Sequence, residues 1–295
     1  MSDTQPYTYQ TSVKSDVSDE LINTYVLRPV AGYLVRILYP TPITPNQVTI
    51  AAVLVGLVAA WCYSFGTQGM SLVGGLTITL KDLLDSADGQ LARAKHLYSR
   101  AGRFIDSIGD FAVNAAVIAV ITIVLVRTGD NPAIPFLGLL GFLGISLRVS
   151  YHVYYQTSYL HLQKEYTLNR TTEEVREDDL EMDRFTLALQ RTFQLLYGWQ
   201  DAFMVRLDQW SRRGLPVEDT IGESWYSDRT GLRLSGFLGL GTELFVLMVC
   251  SVANRLELYL YVNIFLLNAL WLSCVVYRRV MLNRRLRVRI GMGGL

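Results

Sequence analysis

Cysteine, histidine and net charge are what this sequence has least of. Its three cysteines, Cys62, Cys250 and Cys274, are far apart and all lie in apolar stretches. That spacing gives neither a zinc knuckle nor a redox pair, and it reads as small buried hydrophobes. The three histidines, His96, His152 and His161, have no metal-ligand spacing. Lysine and arginine number 27 against 26 aspartates and glutamates, for a net charge of +1. A balance so close to zero gives no sign of a nucleic-acid binder or of an enzyme for acidic substrates. The first residues are polar and acidic, unlike a cleavable signal peptide.

Apolar residues, by contrast, make up 51% of the chain, and the charges gather in a few stretches. That is the pattern of an all-α polytopic membrane protein. Residues 1–17 read as a flexible N-terminus. Ser18 with Asp19 and Glu20 reads as a helix start. Leu21, Tyr25 and Pro29 share one line of the following helix, and Ile22, Val26, Val30 and Leu34 the next. This predicts an amphipathic helix on the membrane surface, kinked near Pro29. Six spans are expected: Asn46 to Phe65, from Met70 into the acidic stretch described below, Phe104 to Val126, Ala133 to Val153, Leu232 to Val252, and Leu258 to Val276.

Residues 158–230 read as a helical insertion between spans four and five. An acidic block (Glu173, Glu174, Glu177, Asp178, Asp179, Glu181, Asp183) opens it. Phe185, Leu189, Leu196, Trp199, Phe203 and Trp210 then recur at helical spacing. This predicts an amphipathic helix on the bilayer or on the core. Asn169-Arg170-Thr171 matches a glycosylation sequon. The expected organisation is therefore 1–17, then 18–157 with spans one to four, the insertion at 158–230, spans five and six within 231–280, and a basic tail at 281–295. Lys81, Arg93, Lys95, Arg100 and Arg103 lie between spans two and three, and Arg278 to Arg289 follow span six. The positive-inside rule then puts both termini, the acidic stretch and the insertion in the cytoplasm, where the sequon has little meaning.

The acidic stretch reads DSADGQLARAKHLYSRAGRFIDSIGD from Asp85 to Asp110. Asp85 and Asp88 are three apart, Asp106 and Asp110 four apart, so each pair shares a helix face. Acids at a membrane edge are costly unless compensated, which makes them a functional hypothesis. Asp85, Asp88, Asp106 and Asp110 can bind Mg²⁺ or Mn²⁺, with two divalent ions as the expected count. A two-metal site suits in-line displacement at phosphorus. Gly89 and Ala92 leave room for a bulky group, and Arg93 adds a phosphate partner. Gly102 and Gly109 let helices approach or leave a groove. The combination predicts a nucleotide-diphosphate pocket at the cytosolic boundary. A solvated helix end, or a transporter in which intramembrane acids bind cations, are the competing readings. Neither explains the fixed spacing with interleaved Gly, Ala and Arg.

The run Asp85-x-x-Asp88-Gly89-x-x-Ala92-Arg93, eight residues, then Gly102-x-x-x-Asp106-x-x-x-Asp110 resembles the full signature of the CDP-alcohol phosphotransferase family. Residues Thr44 to Thr49 also resemble the start of that family's first span. The likeness covers about residues 20 to 155 and the last two spans in outline, but not the insertion. It implies transfer of a substituted phosphate from a CDP-linked donor to an alcohol with release of CMP, one of the two substrates being a lipid. It implies that Asp110 is both metal ligand and general base, that Gly89, Ala92, Arg93 and Gly102 border the nucleotide, that Asn46 and Thr49 approach its phosphates, and that the protein is a homodimer. Two arrangements of substrates share the signature: CDP-diacylglycerol or an ether analogue with a polar alcohol, and CDP-choline or CDP-ethanolamine with diacylglycerol. Arg148, at the end of span four, is a candidate for an acceptor phosphate, which favours the first. It is equally readable as a snorkelling interfacial arginine.

Overall fold

The computed structural model describes residues 20, 22–163, 183–216, 218–289 and 291, and among these all regular structure is helical. The flexible N-terminus expected at 1–17, the Ser18 cap, the sequon and the acidic block up to Glu181 lie outside the described residues.

The first helix, α1 (Arg28–Leu38), follows a π-turn at Asn23–Leu27. Pro29 follows directly on that π-turn, whose closing bond runs from the Arg28 N–H to the Asn23 carbonyl. The irregularity expected at Pro29 is thus a π-turn just ahead of it. Ala31 and Val35 pack on Ala87 and Leu91 of α3 (Gln68–Lys95). The opposite face leaves Tyr33 72% and Ile37 68% exposed, an apolar surface facing away from the protein.

Helix α2 (Pro45–Ser64) begins with a reciprocal cap. Thr44 Oγ1 accepts from the Gln47 N–H at 3.4 Å, and Gln47 Oε1 accepts from the Thr44 N–H at 2.9 Å. Helix α3 ends at His96, whose φ of 54° turns the chain left-handed. Three residues later Ser99 caps α4 (Arg100–Thr128), its Oγ accepting from the Gly102 N–H at 2.9 Å. The turn sends α4 back along α2, which packs against both α3 and α4, and the acids of α3 and α4 meet across the space left between those two helices. Helix α5 (Ile134–Leu162) returns beside α4.

From residue 184 on come α6 (Arg184–Ser211) and α7 (Asp219–Tyr226), both within the insertion, then α8 (Arg229–Ser235) and α9 (Leu240–Val252). The last run is α10 (Leu256–Tyr261), α11 (Asn268–Val276) and α12 (Asn283–Arg289), joined by π-turns at Val262–Leu267 and Tyr277–Leu282. Tyr63, Ile78, Val113, Ile121, Leu137, Leu244 and Tyr259 share one core drawn from α2 to α5, α9 and α10.

Among the described residues, five helical stretches are long and apolar enough to cross a membrane: Pro45–Ser64, Arg100–Thr128, Ile134–Leu162, Thr220–Val252 and Leu256–Arg289. Only 33–56% of each apolar window is buried, so much of the remaining apolar surface faces outward, as lipid-facing helices require. Helix α3 is absent from that set because of its charges. At 28 residues it is nonetheless roughly 42 Å long, sufficient for a bilayer core. Lys81, Asp82 and Asp88 are all buried in the protein. Cys62, Cys250 and Cys274 are buried and unpaired with one another, as their apolar setting led one to expect.

Helix α6 buries several polar side chains and exposes several large apolar ones among its arginines. Gln190, Gln200, Asp208 and Ser211 are buried, while Phe185, Leu195, Trp199 and Phe203 are exposed, Leu195 at 80%. Its inner face packs on α4 and α5. Phe193 meets Phe104, Tyr197 meets Phe111 edge-on, and Ser150 Oγ donates to Gln200 Oε1 at 2.6 Å. Further along, Tyr155 and Trp225 both donate to Asp208 Oδ1, at 2.9 and 2.8 Å. The insertion helix is therefore built onto the bundle.

Candidate active site

The site is the space between the facing ends of α3 and α4, with α2 behind it. Asp85 and Asp88 come from α3 and Asp106 from α4. One carboxylate oxygen of each lies within 4.8 Å of the other two. Asp88 is 9% exposed, and its Oδ2 accepts from Thr49 Oγ1 of α2 at 2.5 Å. A short charge-assisted bond of this kind fixes the carboxylate's direction. Asp106 Oδ1 is buried without a hydrogen-bond partner. Three converging carboxylates, one with an orphaned oxygen, are what a hard divalent cation takes as ligands. The residues fit one such ion well.

Asp110 is placed differently. Its Oδ1 accepts from the Nζ of Lys81, a residue 1% exposed on α3, and the same ammonium stands 3.7 Å from Asp85 Oδ1. All four expected acids thus meet at one place, with three grouped and the fourth held by a lysine. Lys81 entered the sequence reading only as a marker of orientation. Its position one turn before Asp85 was the available signal.

The glycines divide into two kinds. A Cβ on Gly102 would lie 2.3 Å from Asn46 Oδ1, and one on Gly109 would lie 2.3 Å from Val53 Cγ2. Those two positions let α4 close on α2. At Gly89 a Cβ would meet nothing nearer than Arg93 Nη1, at 3.6 Å. Gly89 therefore floors an open space overhung by the Arg93 guanidinium, with half-buried Ala92 alongside. Asn46 Oδ1 also accepts from Ser99 Oγ at 3.5 Å, which places Asn46 at the rim. Thr49 meets the acids through Asp88, while Gly102 meets Asn46 where α4 closes on α2.

Arg148 does not belong to this group. It is 1% exposed, and its Nη2 donates to Glu243 Oε2 at 2.7 Å. Its Nη1 donates to the Asn263 carbonyl at 3.0 Å and to Asn268 Oδ1 at 2.5 Å. Tyr259 donates to the other oxygen of Glu243 at 2.8 Å. The guanidinium is engaged in tying α5 to α9 and to the last span, which is neither snorkelling nor open to a ligand.

Two further contacts were not visible in the sequence. Tyr197 of α6 donates to the Ser107 carbonyl at 2.8 Å, next to Asp106. Glu20 reaches the N-terminus of α9, accepting from the N–H groups of Leu240 at 3.0 Å and Gly241 at 2.7 Å.

Residues 42–168 match the family described as CDP-alcohol phosphatidyltransferase. A bifunctional IPC transferase and DIPP synthase of Thermococcus kodakarensis is 36% identical over 110 residues, covering 37% of this chain and 23% of the relative. The protein of the same name in Aquifex aeolicus is 29% identical over 145 residues, 49% of this chain and 32% of the relative. An archaetidylinositol phosphate synthase of Pyrococcus horikoshii is 38% identical over 76 residues, 26% of this chain and 39% of the relative. The matches thus span less than two-fifths of the length of each of these relatives. The matched segment contains all four acids and their glycines, so residues 42–168 are those of a CDP-alcohol phosphatidyltransferase domain.

Proposed function

We propose that this chain transfers a substituted phosphate from a CDP-linked lipid, CDP-diacylglycerol or an ether analogue, to the hydroxyl of a small polar alcohol, with release of CMP. The observation that carries this is the three-carboxylate cluster beside the open floor at Gly89. The Pyrococcus relative is by name a synthase of archaetidylinositol phosphate. That makes a phosphorylated inositol the first acceptor to try.

In this reading the nucleotide lies over Gly89 and Ala92, its diphosphate near Arg93, with Asn46 and Thr49 at the rim. Asp85, Asp88 and Asp106 hold a divalent ion, Mg²⁺ or Mn²⁺. Bound there, it neutralises charge on the diphosphate and helps CMP to leave. Asp110 takes the proton of the acceptor hydroxyl. The acceptor oxygen bonds to the phosphorus that carries the lipid, the bond from that phosphorus to the CMP oxygen breaks, and the electron pair leaves on CMP. Thr49 keeps Asp88 aimed, and the approach of α4 to α2 at Gly102 and Gly109 keeps the two acid pairs in register.

The same reading makes α3 a sixth span, its charges tolerated because they face protein. The acids, the insertion and both termini are cytoplasmic by the distribution of lysine and arginine. Helix α1 lies in the interface with its apolar face in lipid. A homodimer accompanies this reading, as the resemblance implies.

The test is CMP release by the purified chain in lipid-doped detergent with Mg²⁺. CDP-diacylglycerol or its ether analogue is offered with inositol phosphate, glycerol phosphate or serine, and CDP-choline or CDP-ethanolamine with diacylglycerol. Release with a CDP-lipid and a polar alcohol is expected. Release only from CDP-choline or CDP-ethanolamine would reverse the assignment of lipid and headgroup.

A further inference from the structure

Lys81 is led to the acids and away from solvent. A Cβ on Gly56 of α2 would lie 3.2 Å from Lys81 Cγ and 2.6 Å from Val113 Cγ1 of α4. The lysine stem is therefore confined beside the contact of Gly56 with Val113, and its side chain is 1% exposed. At the end of that path Nζ pairs with Asp110 Oδ1 and stands 3.7 Å from Asp85 Oδ1. A buried ammonium is costly unless paired, and here two carboxylates pair it. Asp85, Asp88 and Asp106 meanwhile converge within 4.8 Å, with Asp106 Oδ1 left without a partner. The cluster thus has a place suited to a divalent cation and, beside it, a carboxylate already matched by a fixed positive charge.

We propose that Lys81 stands where a second divalent ion would otherwise be needed. The chain binds one ion, on Asp85, Asp88 and Asp106, and Lys81 holds Asp110 next to it. This rests on the reading of the cluster as a metal-dependent phosphotransfer centre. One divalent ion and one ammonium leave a single negative charge among the four carboxylates, and that charge is available to take a proton. Lys81 is a positioning residue: it engages Oδ1 of Asp110 and leaves Oδ2 to face the acceptor hydroxyl. An ammonium on a confined stem also fixes the direction of that carboxylate with no dependence on metal concentration.

Ion counting tests this without turnover. The metal-stripped full chain in detergent is titrated with Mn²⁺, and loss of the free-ion electron paramagnetic resonance signal gives the number bound. The wild type is expected to bind one Mn²⁺ per chain, and Lys81→Arg, which keeps the charge, also one. Lys81→Met is expected to bind two, because Asp110 is released. A wild type that binds two ions overturns the proposal and leaves the metal centre standing. So does a folded Lys81→Met that still binds one, or a Lys81→Arg that gains an ion. The wild-type count decides alone if Lys81→Met does not fold. A wild type that binds no Mn²⁺ overturns the metal centre itself.

Discussion

The phenol of Tyr197 donates a 2.8 Å hydrogen bond to the carbonyl of Ser107, a residue directly after a metal-ligand candidate in the sequence. The bond joins α6 of the insertion to the turn of α4 that carries Asp106. The Tyr197 ring also stacks on Phe193, with centroids 4.8 Å apart. Tyr197→Phe keeps the ring and loses the bond, a cost of about 1 kcal/mol. We expect a small drop in thermal stability and a several-fold drop in CMP release at saturating substrates. Unchanged release would mean that the insertion supports the fold without supporting the site.

The outer face of α6 should contact acyl chains. Trp199 and Trp210 are 50% and 47% exposed on the outer side of a helix that turns Gln200 and Asp208 inward. Lipids brominated near the carbonyls should quench the fluorescence of both. Comparison with Trp199→Phe and Trp210→Phe isolates their share. Absence of quenching at both positions would place this face in water or against another protein.

Arg148→Met should destabilise the bundle. Arg148 and Glu243 are both buried and paired at 2.7 Å, and removing one partner of such a pair typically costs about 3–5 kcal/mol. The double variant Arg148→Met with Glu243→Leu should recover part of the loss. Unfolding in detergent measures both. Loss of activity in Arg148→Met at unchanged stability would instead restore this arginine as a ligand for the acceptor.

Glu20 gives the fold a dependence on pH. Burial, with the Asp82 carboxylate nearby, pushes its carboxyl from 4.5 up to about 8. Because the folded value is the higher one, stability falls as pH rises from the ordinary carboxylate range through that value. The attachment of the N-terminal segment to α9 should therefore be tighter near pH 6 than near pH 9 (about three units across the expected transition). Limited proteolysis ahead of α1 reads this out. Glu20→Gln, which stays neutral at both pH values and keeps one acceptor oxygen for the Leu240 and Gly241 N–H groups, should remove the difference. A wild type equally protected at both pH values would show that Glu20 does not control the attachment.

Helical spacing fixes which acids share a face, so the pairs Asp85/Asp88 and Asp106/Asp110 were each legible, while their meeting across two helices is a property of the fold. What was not legible depended on partners remote in sequence. Asp110 is 29 residues from Lys81, and Arg148 is 95 from Glu243. A lone arginine at the end of an apolar run looks the same whether it snorkels, binds phosphate or meets a buried glutamate. The aromatic spacing of α6 identified a helix but not its orientation. Gln200 and Asp208 turn inward and Leu195 outward, the reverse of the orientation the spacing would suggest for a helix in water. Helix α3 showed the opposite problem: it is long enough to cross a bilayer, while its charges keep it out of a count based on hydropathy.

The most direct measurement compares CMP release and CDP binding in the wild type and in Asp110→Asn, with Mg²⁺ and the donor–acceptor pair that turns over. Asp110→Asn loses the base but keeps Asp85, Asp88 and Asp106. It should bind CDP in a Mg²⁺-dependent way close to the wild type while release falls by about 10²-fold or more. Release near the wild-type rate with CDP binding intact would contradict the role given to Asp110, and with it the chemistry assigned to this site.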